Sequence, residues 1–317
     1  MRARWTALIG VLGFGLLGLA CSSTSRDSEF AEDPAVVLPG GRKMAGQEGE
    51  ARDLKGIDTK DLVPREKRQW FRLVSQLYAP CQDQPVSIAA CIEESRPCAA
   101  CAPAAKLLAE RVRAGATNSE CETAYGLRFG PDIKKVDIGE SPSKGPKDAT
   151  VTVIAWSDFQ CPACKYALPY LEEAVAKFDG RVRLVHKFFP LKFHTRSEPA
   201  AKAAFAAKMQ GRYWEMEKLL FDNQEALGDA DLDRFAKALQ LDLKRFHDDM
   251  SSEAASKMIE RDREEASKAG INGTPHILIN GRVFMHGIFR VDTDLESWIA
   301  LEIELAEQNK RAQKQAQ

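Results

Sequence analysis

A buried strand that runs into a Cys-x-x-Cys motif and then a helix constrains this chain more than any other feature. Residues 151–156 (Val-Thr-Val-Ile-Ala-Trp) form a continuous apolar, β-branched run, as a buried central strand requires. The motif at 161–164 (Cys-Pro-Ala-Cys) follows, and a helical pattern of apolar residues continues to Phe178. A second strand is predicted at 182–189, parallel to the first across that helix. The region from 149 onward is therefore predicted to be α/β.

The rest of that region has a different pattern. Residues 195–270 are almost wholly helical in periodicity, which predicts a helical insertion. The apolar spacing predicts its helices at 200–209, 213–221, 232–241 and 254–269. Asn280-Gly281 between two apolar runs predicts a hairpin of strands 276–279 and 282–285. A last helix is expected at 295–305, before a polar tail at 307–317 that should fray.

The position of the two cysteines has chemical consequences. Cys161 is predicted at the helix N-cap and Pro162 at the first helical position, where a missing N–H costs nothing. The unpaired N–H groups of the first turn and the positive end of the helix dipole then favour a thiolate on Cys161. Cys164 is expected to be more buried and within reach of a disulfide. In this interpretation Cys161 attacks, and Cys164 resolves the mixed disulfide.

Two motifs in this order carry a family resemblance. Residues 156–164 (Trp-Ser-Asp-Phe-Gln-Cys-Pro-Ala-Cys), the helical insertion and the Gly-Thr-Pro of 273–275 together resemble the DsbA-like branch of the thioredoxin fold. The resemblance covers about 149–305. It implies that Pro275 is a cis proline facing the sulfurs and that Thr274 offers backbone groups to an extended substrate by strand addition. An ordinary trans turn before the hairpin is the alternative.

Two departures from that family bear on the chemistry. Thioredoxins and many relatives keep a buried carboxylate on the strand before the motif, to help move the proton of the resolving cysteine, and Ala155 stands there in this chain. Asp158 either takes that role or caps the turn, and we favour the cap. The Pro162-Ala163 pair lacks the histidine of the strongest oxidants, which predicts a weaker oxidant. All five histidines are interpreted as surface or strand-face residues, and the acidic residues at 260–265 as a solvated helix face.

The N-terminus carries a predicted export signal. Two arginines precede an apolar run at 6–20, which is shorter than the roughly 20 residues of a membrane span. The run ends in Leu-Gly-Leu-Ala before Cys21, which resembles a bacterial lipobox and implies that Cys21 is lipidated. A plain cleaved signal with an unmodified Cys21 is the alternative. We divide this part into a signal peptide at 1–20 and a flexible polar tether at 21–60.

A small all-α, cysteine-containing module is predicted at 61–130, with a Gly/Pro-rich linker at 131–148 after it. The thioredoxin-like domain then spans 149–306. The stretch 77–130 faintly resembles CcmH, a thiol protein of cytochrome c maturation, which implies a helical hairpin. Tyr78 stands where that family has its first cysteine, so the reaction of that family is not carried over.

The module holds five cysteines, and the sequence does not reveal their pairing. They are Cys81, Cys91, Cys98, Cys101 and Cys121. The Cys-Ala-Ala-Cys at 98–101 invites a second redox site, but a structural disulfide is favoured because no buried strand precedes it. Zinc bound by the first four is disfavoured in an oxidising compartment.

Together these features predict an exported thiol–disulfide oxidoreductase that acts on cysteines of unfolded or partly folded extracytoplasmic proteins. Its partners would be those substrates, an unidentified redox partner and, through the lipid, a membrane on the periplasmic side; no cofactor or metal is expected. The 45 basic and 46 acidic residues form no basic stripe, which argues against nucleic acid. A disulfide isomerase or reductase, and a non-catalytic thioredoxin-like binding lipoprotein, are the alternatives.

Overall fold

A five-stranded mixed sheet organises the second half of the chain in the computed structural model, which describes residues 50–315. The two central strands run parallel, and the hairpin strands are antiparallel to their neighbours. The strands are β1 (Ser143–Lys144), β2 (Val151–Ser157), β3 (Val182–Phe188), β4 (His276–Ile279) and β5 (Arg282–Phe284). They lie side by side in the order β1-β3-β2-β4-β5.

Helices precede the sheet, connect its strands and cover both of its faces. Those of the N-terminal module are α1 (Pro64–Gln76), α2 (Ile88–Glu93), α3 (Cys101–Arg113) and α4 (Asn118–Phe129). α5 (Pro162–Lys177) connects β2 to β3, and α11 (Leu295–Gln315) follows the hairpin. The insertion between β3 and β4 comprises α6 (Ser197–Met209), α7 (Tyr213–Asp222), α8 (Asp229–Ala238), α9 (Leu243–Ser251) and α10 (Glu253–Lys268).

The central strand β2 is buried on both faces, as its unbroken apolar sequence predicts. On one face Ala155 packs in a cluster with Leu171 of α5 and Trp298 of α11. On the other face Trp156 lies in a cluster with Ala266 of α10. Because β2 is fixed from both sides, the loop that leaves its carboxyl end has a defined position. That loop carries the Cys-x-x-Cys motif.

The β4–β5 hairpin confirms the Asn-Gly prediction. Asn280 and Gly281 both have positive φ, 49° and 80°, which a tight hairpin turn requires. The Asn280 side-chain oxygen also accepts a hydrogen bond from the Thr152 N–H at 2.9 Å, which ties the turn to β2. A Cβ atom on Gly281 would lie 2.5 Å from the Lys134 carbonyl oxygen. Only glycine therefore fits this position.

The insertion differs from the prediction in two respects: it contains one additional helix, and one helix face that was expected to be solvated is partly buried. α9 was not expected, because it is only nine residues long and Phe246 is its single buried side chain. The acidic face at 260–265 is not fully solvated: Asp262 is 0% exposed. Its carboxylate accepts the Phe188 N–H at 2.9 Å and lies 3.3 Å from the ammonium group of Lys187, which is buried as well. The interpretation of this stretch as a solvated face is therefore wrong at Asp262.

The N-terminal module has its own apolar core around Trp70, whose indole N–H donates to the Ala105 carbonyl at 2.9 Å. It also packs against the second half of the chain. The Arg111 guanidinium donates to the Ile288 carbonyl, and that of Arg128 lies 5.1 Å from the ring centre of Trp298. The α/β sheet with a helical insertion and the preceding all-α module confirm the predicted fold class.

The cysteine pairing in the module emerges only from the structure. Cys81 pairs with Cys98 and Cys91 with Cys101, while Cys121 is a buried free thiol. The two cysteines of the Cys-Ala-Ala-Cys stretch therefore belong to different bridges. Burial raises the pKa of Cys121 to about 11, so this thiol stays protonated at neutral pH.

Some segment boundaries differ from those expected. Leu54 and Ile57, in the segment interpreted as tether, are buried in the core of the module. Part of the segment interpreted as linker forms β1, a pair of residues too short to give a strand pattern. The last helix continues through most of the expected tail to Gln315, because the Glu, Gln, Lys and Ala residues there favour helix. None of the helices in the described part of the chain is long and apolar enough to cross a membrane.

Candidate active site

Cys161 lies where the loop from β2 meets α5. It is the N-cap of α5 with an extended backbone, φ −76° and ψ 118°, and Pro162 is the first helical residue. Proline suits that position because its fixed φ is already helical and the first N–H has no helical partner. Cys161 and Cys164 are both free thiols, 7% and 2% exposed. The predicted lipidation site, Cys21, lies outside the described residues.

The surroundings of Cys161 stabilise its thiolate. A hydrogen bond from the Cys164 thiol contributes most, and the Thr274 hydroxyl and the backbone N–H groups of Ala163 and Cys164 add to it. Burial opposes them, but the sum lowers the pKa of Cys161 from 9.0 to about 5. These N–H groups belong to the first turn of α5, where no helical acceptor competes for them. At neutral pH Cys161 is therefore mainly a thiolate.

Cys164 has the opposite character. Burial raises its pKa well above 9.0, and the hydrogen bond and the charge of Cys161 add to that effect. Two thiolates this close would repel each other, so one is ionised and its neighbour keeps the proton. At neutral pH the pair thus contains one ionised sulfur and one protonated sulfur.

The residues Thr274 and Pro275 stand opposite the cysteines. The peptide bond between them is cis, as the resemblance implies, and the Thr274 carbonyl oxygen lies 3.5 Å from the Cys161 sulfur. β4 begins immediately afterwards, at His276, and pairs with β2. The sheet therefore brings the two motifs together across more than a hundred residues of sequence.

Asp158 holds the active-site loop. Its carboxylate, 1% exposed, accepts hydrogen bonds from the N–H groups of Gln160 and Leu191, both at 2.7 Å, and lies 2.9 Å from Nδ1 of His194. These contacts join the loop after β2 to the loop after β3. The predicted capping role agrees with this arrangement, because the oxygens of Asp158 are used for structural bonds.

A buried carboxylate near Cys164 comes instead from the insertion. Glu217 of α7 is 1% exposed, and its carboxylate lies 2.5 Å from Nδ1 of His186 on β3. A cavity of about 10 Å³ lies between Cys164, Ala155 and these two side chains. That is about the volume that one water molecule needs. Ala155 leaves room there that a larger strand residue would fill.

Sequence reasoning missed both residues of this pair. His186 was interpreted as a surface or strand-face histidine; it does lie on strand β3, but it is 4% exposed and bonded to a carboxylate, which the sequence did not reveal. Glu217 did carry a signal: it follows the buried Tyr213 by one helical turn and therefore stands on the apolar face of α7. A glutamate on an apolar face is rarely buried without a partner.

An exposed aromatic side chain lies beside the active-site loop. Phe193 is 75% exposed and makes an edge-to-face contact, 4.5 Å between ring centres, with His194, the partner of Asp158. Tyr166 of α5, two residues beyond Cys164, is 52% exposed. Large apolar side chains at the surface of a monomer often mark a site that meets another molecule.

The chain is similar to proteins of known sequence and structure over the region that holds this site. It is 37% identical over 158 residues to the Na(+)/H(+) antiporter NhaA 3 of Salinispora tropica, matching 50% of this chain and 24% of that protein. A related antiporter of Salinispora arenicola matches equally, at 37%. The chain thus spans about a quarter of the length of the curated relatives it matches.

Among solved structures, it resembles a thioredoxin-like oxidoreductase from Silicibacter pomeroyi, with 27% identity, a TM-score of 0.43 and coverage of 55% of this chain and 92% of that chain. It also resembles BdbD from Bacillus subtilis, with 23% identity, a TM-score of 0.46 and coverage of 54% and 97%. Residues 138–298 match the family model described as Thioredoxin, and they include both cysteines and the cis proline. With the sheet order and the helical insertion described above, this match shows that the chain belongs to the thioredoxin family.

Proposed function

We propose that the protein is an extracytoplasmic thiol–disulfide oxidoreductase in which Cys161 and Cys164 form the redox-active pair. One observation carries the proposal: adjacent sulfurs at the start of α5 have pKa values displaced in opposite directions. A merely structural disulfide needs no such asymmetry. Exchange needs it, because the attacking sulfur must be a thiolate and the resolving sulfur must wait for the mixed disulfide.

The exchange conserves electrons at each step. The Cys161 thiolate attacks one sulfur of a substrate disulfide, so that a mixed disulfide forms and the other substrate sulfur leaves as a thiolate. Cys164 then loses its proton and attacks Cys161. The Cys161–Cys164 bond forms, and the second substrate sulfur leaves with the electron pair. The reverse sequence oxidises a substrate dithiol, so the redox partner sets the direction.

Glu217 is the group that accepts the proton of Cys164 in this proposal. Its carboxylate and the Cys164 sulfur border the same small cavity, and a single water there can relay a proton between them. His186, bonded to Glu217, orients the carboxylate. The pKa of Cys164 is held high partly by the charge on Cys161. Formation of the mixed disulfide removes that charge, so the proton becomes easier to remove only when it has to leave.

Substrates bind as extended chains across Thr274 and Pro275 in this proposal. Backbone groups there can hydrogen-bond to any sequence, and Phe193 adds an exposed apolar side chain near the active-site loop. An unfolded or partly folded protein offers both an extended backbone and exposed apolar side chains. A compact protein offers neither. The site therefore favours cysteines in incompletely folded chains.

An oxidising location fits the rest of the chain. Two disulfides in the N-terminal module persist outside the cytoplasm. With an export signal at 1–20 and a lipid on Cys21, the protein would face the periplasm from a membrane. The polar segment after Cys21 would then act as a flexible tether that lets the domain reach its substrates.

The test is a Cys164→Ala variant expressed in cells and quenched with acid. Without the resolving sulfur, mixed disulfides at Cys161 accumulate, and we expect covalent partners that a reductant releases. The Cys161→Ala/Cys164→Ala double variant is the matched control and should trap none. If the folded Cys164→Ala protein traps nothing and Cys161 does not react with alkylating agents after mild reduction, the binding-lipoprotein alternative replaces this proposal.

A further inference from the structure

A groove with a volume of about 1030 Å³ lies between the N-terminal module and the end of the chain. Its walls include Tyr78, Phe129 and Leu305, and Cys81 lines it as well. Cys161, Cys164 and Pro275 are not among the residues that line this groove. The proposed oxidoreductase function gives this groove no role.

The cysteines beside the groove differ in access. Cys81 is half-buried, whereas its partner Cys98 is 7% exposed. Cys91 and Cys101, the second bridge, are 1% and 2% exposed. The sulfur of Cys98 nevertheless lies within 4.8 Å of both sulfurs of that second bridge. One disulfide thus faces a groove and stands in near contact with a second, buried disulfide.

We propose that these four cysteines form a second thiol–disulfide exchange centre, with Cys81 as its entrance and Cys98 as its relay. A thiolate in the groove attacks Cys81. A mixed disulfide forms, the Cys81–Cys98 bond breaks, and Cys98 leaves with the electron pair. The Cys98 thiolate then attacks the Cys91–Cys101 bridge, forms a new bond to one of its sulfurs, and releases the other as a thiolate.

A dithiol substrate completes one round of exchange. Its second thiol attacks the mixed disulfide, closes the substrate disulfide and releases Cys81 as a thiolate, which takes up a proton from water. The substrate has lost two electrons, and the module has one disulfide where it had two. This centre therefore oxidises dithiols, and it does so without Cys161 and Cys164.

The start of α3 assists the released sulfurs. Cys101 is the first residue of this 13-residue helix. The Cys98 carbonyl oxygen accepts a hydrogen bond from the Cys101 N–H. The positive end of the helix favours a thiolate on either side chain. Leaving groups of lower pKa depart faster, so this placement favours the departure of Cys98 in the first step and of Cys101 in the second.

Arg128 gives the groove a cation that suits an anionic thiol compound, although the carboxylates of Asp83 and Glu302 line the groove as well. Arg128 lines it and is 8% exposed, and its Nε has no hydrogen-bond partner in the described part of the chain. Burial lowers the pKa of this arginine to about 10, so it is still a cation at neutral pH. A guanidinium in this position pairs with a carboxylate. A cysteine-containing peptide with a nearby carboxylate is the class of substrate that fits.

The relay step is tested in the full chain with Cys161→Ser and Cys164→Ser, so that only the module can exchange. Adding Cys81→Ser frees Cys98 beside the intact second bridge. After acid quench and alkylation, peptide mapping should find Cys98 bonded to Cys91 or Cys101 in more than about a tenth of the molecules. A folded variant with only the Cys91–Cys101 bond, and Cys98 alkylated throughout, overturns the relay.

The attack on Cys81 is tested in the Cys161→Ser/Cys164→Ser protein with the five module cysteines unchanged. This experiment does not depend on whether the Cys81→Ser variant folds. Reduced glutathione, an anionic thiol, should form a mixed disulfide at Cys81 and leave Cys121 unmodified. Arg128→Met should slow that reaction about tenfold while leaving the reaction with neutral 2-mercaptoethanol unchanged. If the Cys161→Ser/Cys164→Ser protein keeps the Cys81–Cys98 bond intact in both thiols, the second centre does not exist. Because Cys161 and Cys164 are absent here, that result leaves the proposed function standing.

Discussion

Acidifying the reduced protein through pH 5 should protonate Cys161 and abolish its reactivity. The structure lowers the pKa of this thiol from 9.0 to about 5, mainly through the hydrogen bond from Cys164. At pH 7 about 99% of Cys161 is then thiolate, against about 1% for a thiol with a pKa of 9.0. The difference is large enough to measure without denaturing the protein.

The midpoint of the titration, and not the rate at pH 7, is the diagnostic quantity. A Brønsted slope of about 0.4–0.5 means that a pKa lowered from 9.0 to about 5 makes each thiolate roughly 40 to 100 times less nucleophilic. This loss nearly cancels the roughly hundredfold gain in thiolate at pH 7. The rate of alkylation at pH 7 would therefore resemble that of an ordinary thiol, although the chemistry differs.

The assay is the rate of iodoacetamide alkylation of the reduced protein between pH 3 and 9, with thiolate absorbance near 240 nm as a second readout. Cys164→Ala is the informative variant, because it removes the largest contribution while the backbone donors of the first turn remain. Its midpoint should rise above that of the native protein and stay below 9.0. A native midpoint near 9, or a midpoint that Cys164→Ala leaves unchanged, refutes this account of the site.

The lowered pKa of Cys161 also makes the stability of the reduced protein depend on pH. Between pH 5 and 9 the unfolded reduced chain holds a proton on Cys161 that the folded protein has lost, so the unfolded state binds more protons. The stability from this thiolate is therefore present above pH 9 and is lost as the pH falls through about 5. Cys164 adds no slope there, since it is protonated in both states. The Tm of the reduced protein should rise relative to the oxidised protein from pH 5 to 9.

Three further predictions concern single residues. Glu217→Gln should slow resolution of the mixed disulfide by roughly a hundredfold in stopped-flow fluorescence while sparing the first attack by Cys161; slowing of both steps would contradict a role in proton transfer. Phe193→Ser should raise KM for a reduced unfolded protein several-fold with kcat unchanged, and Tyr166→Ser serves as the comparison; equal KM values would remove Phe193 from the binding site. Gly281→Ala should destabilise the protein by about 1–3 kcal/mol in urea unfolding, because the new Cβ meets the Lys134 carbonyl at a positive φ; an unchanged midpoint would refute the turn argument.

Local patterns were enough to predict much of the fold. The β-branched run of β2, the Asn-Gly turn and the Cys-Pro start of α5 each specify backbone geometry through neighbours in the sequence. Two short elements were not predicted. α9 buries only Phe246, and β1 is a pair of residues that becomes a strand because β3 offers an open edge. Short or sparsely buried elements owe their existence to tertiary contacts.

Some features of the site also follow from neighbouring residues in the sequence, whereas others depend on tertiary contacts. That Cys161 caps a helix, and so faces unpaired N–H groups, follows from the residues around it. The approach of Glu217 to Cys164, the burial of His186 and the crossed pairing of the four module cysteines depend on segments far apart in the chain. Hydrogen-bond geometry at a helix end is fixed within one turn, whereas a buried carboxylate or a disulfide partner is chosen by packing. Only the folded chain decides which distant side chains share a cavity.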